Sequence, residues 1–344
     1  MIAMAASPVR AQETIRLTII SGFPPFATSV AALQSAFVPA IDAALAKTGK
    51  YRIDWNMAIG GSVVKPRGEL EGVQAGLGDL GVVVTTFHPD RVPLYEISYK
   101  TPFVTSDLAL VTRVLNEMER EFPAYDDAWR AAGQVNLHHS GGIENYILVS
   151  KSPIERLADL KGRKVGAAGP NLPWVAAAGA TGVSTDLAGA YNALATGTYE
   201  TMLVWAQAMG AVKLCEVAPH VVDAQLGATS AYSLTVNSAV WLKLPKEVQD
   251  AIKAAGQKWS DANVSLVVNG AEKGYQRCRD EFGMKYMRLD EGDRKAWAFA
   301  MPNIAREWAQ RMDDKGAPGT KILRRYMDSM RASAQEIVRH WDRE

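Results

Sequence analysis

The sequence has almost no excess charge: 38 Lys and Arg stand against 37 Asp and Glu, a formal net charge of +1. It also has no Lys/Arg block, so it lacks the electrostatic footprint of a protein that binds nucleic acid or an anionic membrane. The expected partner is a small molecule or another protein. No apolar run approaches the ~20 residues that span a bilayer. Cysteine is scarce, with only Cys215 and Cys278, 63 positions apart. They write neither a metal knuckle nor a disulfide framework, and they pair only if the fold brings them together. The five histidines are scattered. His138 and His139 are adjacent, so on a strand they point to opposite faces and cannot chelate one metal. No metal and no cofactor is expected.

Motifs of catalysis are missing as well. There is no G-x-S-x-G elbow, and Ser140, between His139 and Gly141-Gly142, has no second element marking a base that could activate it. A P-loop is absent. Val165-Gly166-Ala167-Ala168-Gly169 carries part of a dinucleotide fingerprint, with Asp186 further on. Its first glycine is replaced by Lys164, and Asn171-Leu172-Pro173 interrupts the helix that should receive a pyrophosphate. An NAD(P)-dependent oxidoreductase remains an alternative on Gly166 and Gly169 alone; the expectation is that the chain is not an enzyme.

What is present is a chain of 344 residues, 48% hydrophobic and 22% charged, the balance of a soluble globular protein with two ordinary domains or one large one. Residues 1–12 are small and apolar, and Val9-Arg10-Ala11 fits the cleavage rule of an export signal, which would start the mature chain near Gln12 or Glu13. From Glu13 onward strand-like and helix-like stretches alternate, which predicts an α/β fold with mostly parallel strands. Thr14 to Ile20 reads as a strand, and Val30, Leu33, Phe37, Ile41 and Leu45 as one face of a helix. A strand begins at Tyr51, a short helix covers Glu69 to Gly76, and a strand runs from Asp79 to Val84. Later strands are predicted at Val135 to Leu137, Asn145 to Val149, Lys164 to Ala167 and Tyr232 to Val236, with a helix from Asp186 to Ala195. Pro245 opens the longest helical pattern, with Val248, Ile252, Ala255, Trp259, Ala262 and Leu266 on one stripe until Gly283. At ~1.5 Å per residue such a helix reaches about 55 Å and could underlie two domains at once. No linker or repeat is visible, so two lobes would be interwoven by several crossings.

In open α/β sheets ligands sit beyond the carboxyl ends of strands, which places Thr85, Thr86 and Phe87 where contacts are expected. Lys65-Pro66-Arg67 lies in a Gly-rich loop before the Glu69 helix, and a guanidinium there suits a carboxylate. Phe23, Phe26, Tyr146, Trp174 and Trp205 lie near strand ends or loops and could line a pocket, whereas Trp259, Trp297 and Trp308 lie on helical stripes and are expected in the core. Asn171 and Asn237, with Thr85, Thr86 and Tyr146, are candidate neutral hydrogen-bonding partners.

Several segments together resemble the periplasmic solute receptors of TRAP transporters, the tripartite ATP-independent family that includes the dicarboxylate-binding type. These are Gly60-Gly61 with Gly68-Glu69-Leu70-Glu71-Gly72-Val73-Gln74-Ala75-Gly76 and Asp79-Leu80-Gly81; Ser152-Pro153-Ile154 with Leu157-Ala158-Asp159-Leu160-Lys161-Gly162-Arg163-Lys164-Val165; Tyr191-Asn192-Ala193-Leu194-Ala195-Thr196-Gly197; and Asn237 with Trp241, Leu244 and Pro245. Their order covers nearly the whole mature chain. The resemblance implies a two-lobed periplasmic binding protein, type II-like, with a long bridging helix, its lobes at 13–141 with 232–265 and at 142–231 with 266–344. It implies a monomer that closes around a small organic acid in the cleft and delivers it to TRAP small and large membrane subunits. A receptor of an ATP-driven importer is the alternative within the same architecture.

The family's strand motif ends Lys-Ile-Arg, and that Arg clamps the ligand carboxylate. Here the residues are Lys164-Val165-Gly166. Either a cation elsewhere, Arg67 or Lys65, has taken over the role, or the ligand lacks a carboxylate. The missing side chain would also vacate volume, which with the aromatic residues points to a bulkier or aromatic acid.

Overall fold

The computed structural model describes residues 12–344, so the expected export signal lies outside the described residues apart from Gln12. Among the described residues eleven strands form two sheets: β1 (Glu13–Ile20), β2 (Tyr51–Ala58), β3 (Leu80–Val84), β4 (Gln134–Ile143), β5 (Tyr146–Ser150), β6 (Lys164–Ala167), β7 (Thr181–Ser184), β8 (Thr201–Trp205), β9 (His220–Asp223), β10 (Thr229–Asn237) and β11 (Lys285–Arg288). The first sheet has the order β2-β1-β3-β10-β4 and the second β11-β9-β5-β8-β6-β7.

β1 pairs in parallel with β2 and β3, Ile20 lying opposite Ala58 and Gly81. The second sheet is mixed, which departs from the mostly parallel expectation. β6 runs parallel to β7 and β8, but β5 runs antiparallel to β8 and β9. The segments between β6, β7 and β8 contain the helices that parallel crossovers need.

The chain divides into two compact units. The first holds the described residues up to 83 with Arg130–His138 and Ser233–Ala262; the second holds Val84–Trp129, His139–Tyr232 and Asn263–Glu344. This differs from the expected lobes in the segment 84–129, which goes with the second unit. Its partners explain why. Asn116 exchanges hydrogen bonds with the backbone of His139, Trp308 donates to the Pro93 carbonyl, and Arg325 bridges Glu117 and Glu121. The division falls inside β3, β4, β10, the helix Ala124–Ala131 and the long helix, never in a loop.

In the first unit Val30, Leu33, Phe37, Ile41 and Leu45 are buried as their spacing predicts. They lie on a helical stretch, Thr28–Ala46, long and apolar enough by length and composition to cross a membrane. Its middle, Leu33–Phe37, is a π-type turn. Pro39 follows it and cannot donate to the carbonyl four residues back, so the ladder widens there.

The long helix is Lys246–Phe282, 37 residues. Val248, Ile252, Ala255 and Trp259 are buried, but Leu266 is exposed. Beyond Ala262 the helix belongs to the second unit, and its buried face shifts to Asn263, Val267, Ala271 and Cys278. Cys278 is disulfide-bonded to Cys215 on the helix Leu214–Val217, so the two cysteines do pair, inside the core of the second unit.

Candidate functional site

In the first unit the candidates sit on two loops that touch. β1 ends at Ile20, and the turn after it presses on the loop that precedes the helix Glu69–Gln74. A Cβ on Gly22 would lie 2.2 Å from the Pro66 nitrogen and 2.4 Å from the Lys65 carbonyl carbon, so only glycine permits the approach. Backbone bonds join the loops: Gly60 N–H donates to Phe23 O at 2.9 Å and Gly61 N–H to Ser21 O at 3.1 Å. Beneath them Glu69 is fully buried, its Oε1 accepting from Gly22 N–H at 2.9 Å. Burial pushes the Glu69 carboxyl above its ordinary range, while the N–H groups of Gly22, Glu69 itself and Arg67 pull it back.

Arg67 is exposed and has φ +79°, a left-handed conformation that costs a side-chain-bearing residue roughly 1–2 kcal/mol. Lys65 spends its ammonium locally, Nζ donating to Gly61 O at 3.0 Å. Phe23 is half-buried and Phe26 stands 82% exposed. Asn237 has its amide committed to structure. Its Oδ1 caps the helix Ser238–Lys243 through Ala239 and Val240 N–H, and its Nδ2 donates to Val73 O.

In the second unit Tyr146, Asn171, Trp174 and Trp205 come together, joined by Tyr99, which sequence reasoning missed. Tyr146 opens β5 and lies opposite Trp205, the last residue of β8. The Tyr146 ring meets Trp174 edge-on at 5.4 Å and Trp205 at 6.2 Å, and its hydroxyl lies 3.3 Å from that of Tyr99. Burial raises the pKa of both tyrosines, so both hydroxyls stay protonated and able to donate at neutral pH. Trp174 is locked in the core, its Nε1 donating to Tyr99 O and its own carbonyl accepting from Trp297 Nε1, which corrects its expected loop-like placement. Trp205 stays half-buried, Nε1 on Gln207 Oε1. Asn171 is fully buried, and its amide lies beside the Tyr146 hydroxyl without closing a hydrogen bond to it.

Thr85, Thr86 and Phe87 follow β3 as a 3-10 turn. Thr85 is buried with its hydroxyl on Ala231 O, Thr86 lies near the Tyr99 hydroxyl, and Phe87 is half-buried. Glu144, also missed, sits between β4 and β5; Gln207 N–H donates to its Oε1, and burial pushes its pKa up to about 7. Tyr99 lies on a four-residue helix, Ile97–Lys100, too short to show periodicity, and Glu144 is a lone acid in a turn; neither carries a sequence signal.

At Gly166 the expected vacant volume is filled. A Cβ there would meet the Tyr199 ring at 2.6 to 2.8 Å, and Tyr199 is buried. The same ring closes the space beside Gly166, one of the two glycines on which the oxidoreductase alternative rests. Ser140 is tied to the long helix by Asn263 Nδ2 at 2.9 Å. Among the described residues no group of three or more His, Cys, Asp and Glu side chains is placed to hold a metal.

The family model of the bacterial extracellular solute-binding proteins, family 7, DctP, matches residues 42–311. Solved structures share the fold at low identity. A TRAP periplasmic solute-binding protein from Desulfovibrio salexigens is 18% identical with a TM-score of 0.78, covering 92% of this chain and 95% of its own. One from Chromohalobacter salexigens, with bound D-glucuronate, is 18% identical at 0.76, covering 91% and 99%. DctP7 of Bordetella pertussis, an extracytoplasmic solute receptor binding pyroglutamic acid, is 20% identical at 0.73, covering 92% and 99%. The chain belongs to the DctP family of bacterial extracellular solute-binding proteins and has the two-lobed α/β fold of the TRAP periplasmic receptors.

Proposed function

We propose that this protein is an exported receptor that binds a small organic acid and delivers it to the small and large membrane subunits of a TRAP permease. Arg67 is its main charge partner for the ligand. The observation that carries this reading is the Arg67 loop itself: an exposed guanidinium, on a backbone turned left-handed, held against the Phe23 loop by contacts that tolerate only glycine at position 22. A guanidinium carried on a held backbone can meet a carboxylate bidentately. Lys65 is the weaker candidate because Gly61 already holds its ammonium.

Of the candidates in the second unit, the hydroxyls of Tyr146 and Thr86, the Asn171 amide and the half-buried face of Trp205 are neutral groups that suit a polar or flat ligand. With Tyr199 filling the space at Gly166, a preference for a flat or apolar acid rests on these aromatic side chains alone. The relatives described with D-glucuronate and pyroglutamic acid support an acid as the ligand class. The buried disulfide supports an oxidising compartment such as the periplasm.

A thermal-shift screen of uronates, pyroglutamate, aliphatic dicarboxylates and aromatic acids beside neutral and cationic metabolites tests the assignment. Stabilisation by one or more carboxylates is expected. Stabilisation only by neutral or cationic compounds would contradict it.

A further inference from the structure

The loops that carry Phe23 and Arg67 converge on one carboxylate that no sequence signal marked for a role in binding. Glu69 is the first residue of its helix and is fully buried, where an acidic side chain in a first turn ordinarily lies at the surface. One of its oxygens takes the Gly22 N–H at 2.9 Å, from the loop after β1. The N–H of Arg67, from the other loop, stabilises the same anion. Above it the loops make direct backbone bonds through Gly60 and Gly61, and Gly22 leaves no room for a side chain between them.

We propose that Glu69 is the positioning residue of the Arg67 loop: its buried carboxylate gathers N–H groups from both loops and fixes the backbone from which the Arg67 guanidinium projects. This deepens the reading of Arg67 as the ligand's charge partner and rests on it for its meaning in binding, but the fixing of the loops is measurable without ligand. The other titratable groups on the elements packed around Glu69 are Glu71, which raises its pKa, and the exposed Lys65 and Arg67.

Two measurements on the full chain test it. Amide proton shifts of Gly22 and Arg67, followed by NMR between acid and neutral pH, are expected to titrate with one common midpoint above the ordinary Glu value, and to lose that titration in Glu69→Gln. If neither amide titrates, or Gly22 alone does, the proposal fails. Hydrogen exchange of segments 20–26 and 59–68 is then compared in Glu69→Ala and Leu70→Ala, the latter removing a buried side chain from the same helix. Glu69→Ala is expected to speed exchange in both loops about tenfold or more beyond Leu70→Ala. Equal loosening by the two variants would mean general destabilisation and overturn the proposal. If both measurements succeed but Arg67→Ala leaves ligand affinity unchanged, the Arg67 reading has failed and the positioning has not.

Discussion

Tyr199 lies across the backbone of Gly166 so closely that a methyl group there would meet its ring at 2.6 Å. Gly166→Ala is therefore expected to cost about 1–3 kcal/mol, the range for overfilling a packed interior. The loss should shrink when Tyr199→Ala is added, since the two positions share one volume. Thermal unfolding of the single and double variants checks both statements. A second test at this scale concerns Glu144. Its pKa is raised from 4.5 to about 7, so the folded state holds a proton more tightly than the unfolded chain does. Its contribution is full below the unfolded value and is lost as pH rises through about 7, falling by up to roughly 3 kcal/mol across that window. Glu144→Gln should flatten the decline in melting temperature over that window. An unchanged profile would show that Glu144 ionises as it does in water. Neither the Tyr199 cover over Gly166 nor the shift at Glu144 was legible in the sequence, because both effects depend on what covers the position and not on neighbours along the chain.

The long helix shows which elements sequence pattern reveals. Its 37 residues repeat an apolar stripe often enough to be read, with its limits at Pro245 and Gly283 nearly matched. β7, β8, β9 and β11, of four or five residues each, escaped notice, whereas β6, equally short, was read from the sequence. β8 is also buried along almost its whole length, so it lacks the polar face that marks a strand. The mixed direction of the second sheet was hidden for the same reason. The disulfide, too, is a property of arrangement: Cys215 and Cys278 meet only because the helix Leu214–Val217 packs on the far half of the long helix. In the chain-entropy view, a crosslink over 63 residues is worth about 4 kcal/mol. The double variant Cys215→Ala/Cys278→Ala should lose roughly that much in a denaturant titration, and a loss within error of zero would place the stability of this unit wholly in its apolar core.

For the whole molecule, the five boundaries between the units fall within strands and helices, which is why no Gly/Ser/Pro linker could be found in the chain. The α/β class, the interwoven organisation and the bridging helix were legible because each rests on patterns tens of residues long. The site was legible only in part. Lys65, Arg67 and Phe23 do share one pair of touching loops, and Tyr146, Asn171, Trp174 and Trp205 do cluster, yet Asn237 and Thr85 use their polar atoms to hold the fold. A ligand that binds the folded protein should raise its stability by about 2.7 kcal/mol at a hundredfold excess over its dissociation constant. Titration calorimetry of wild type and Arg67→Ala, with the compound that mass spectrometry recovers from the purified protein, is the most direct test. A carboxylic acid bound by wild type and weakened in the variant by roughly 2–5 kcal/mol is the expected result. Equal affinity for both, or a recovered ligand without a carboxylate, would contradict it.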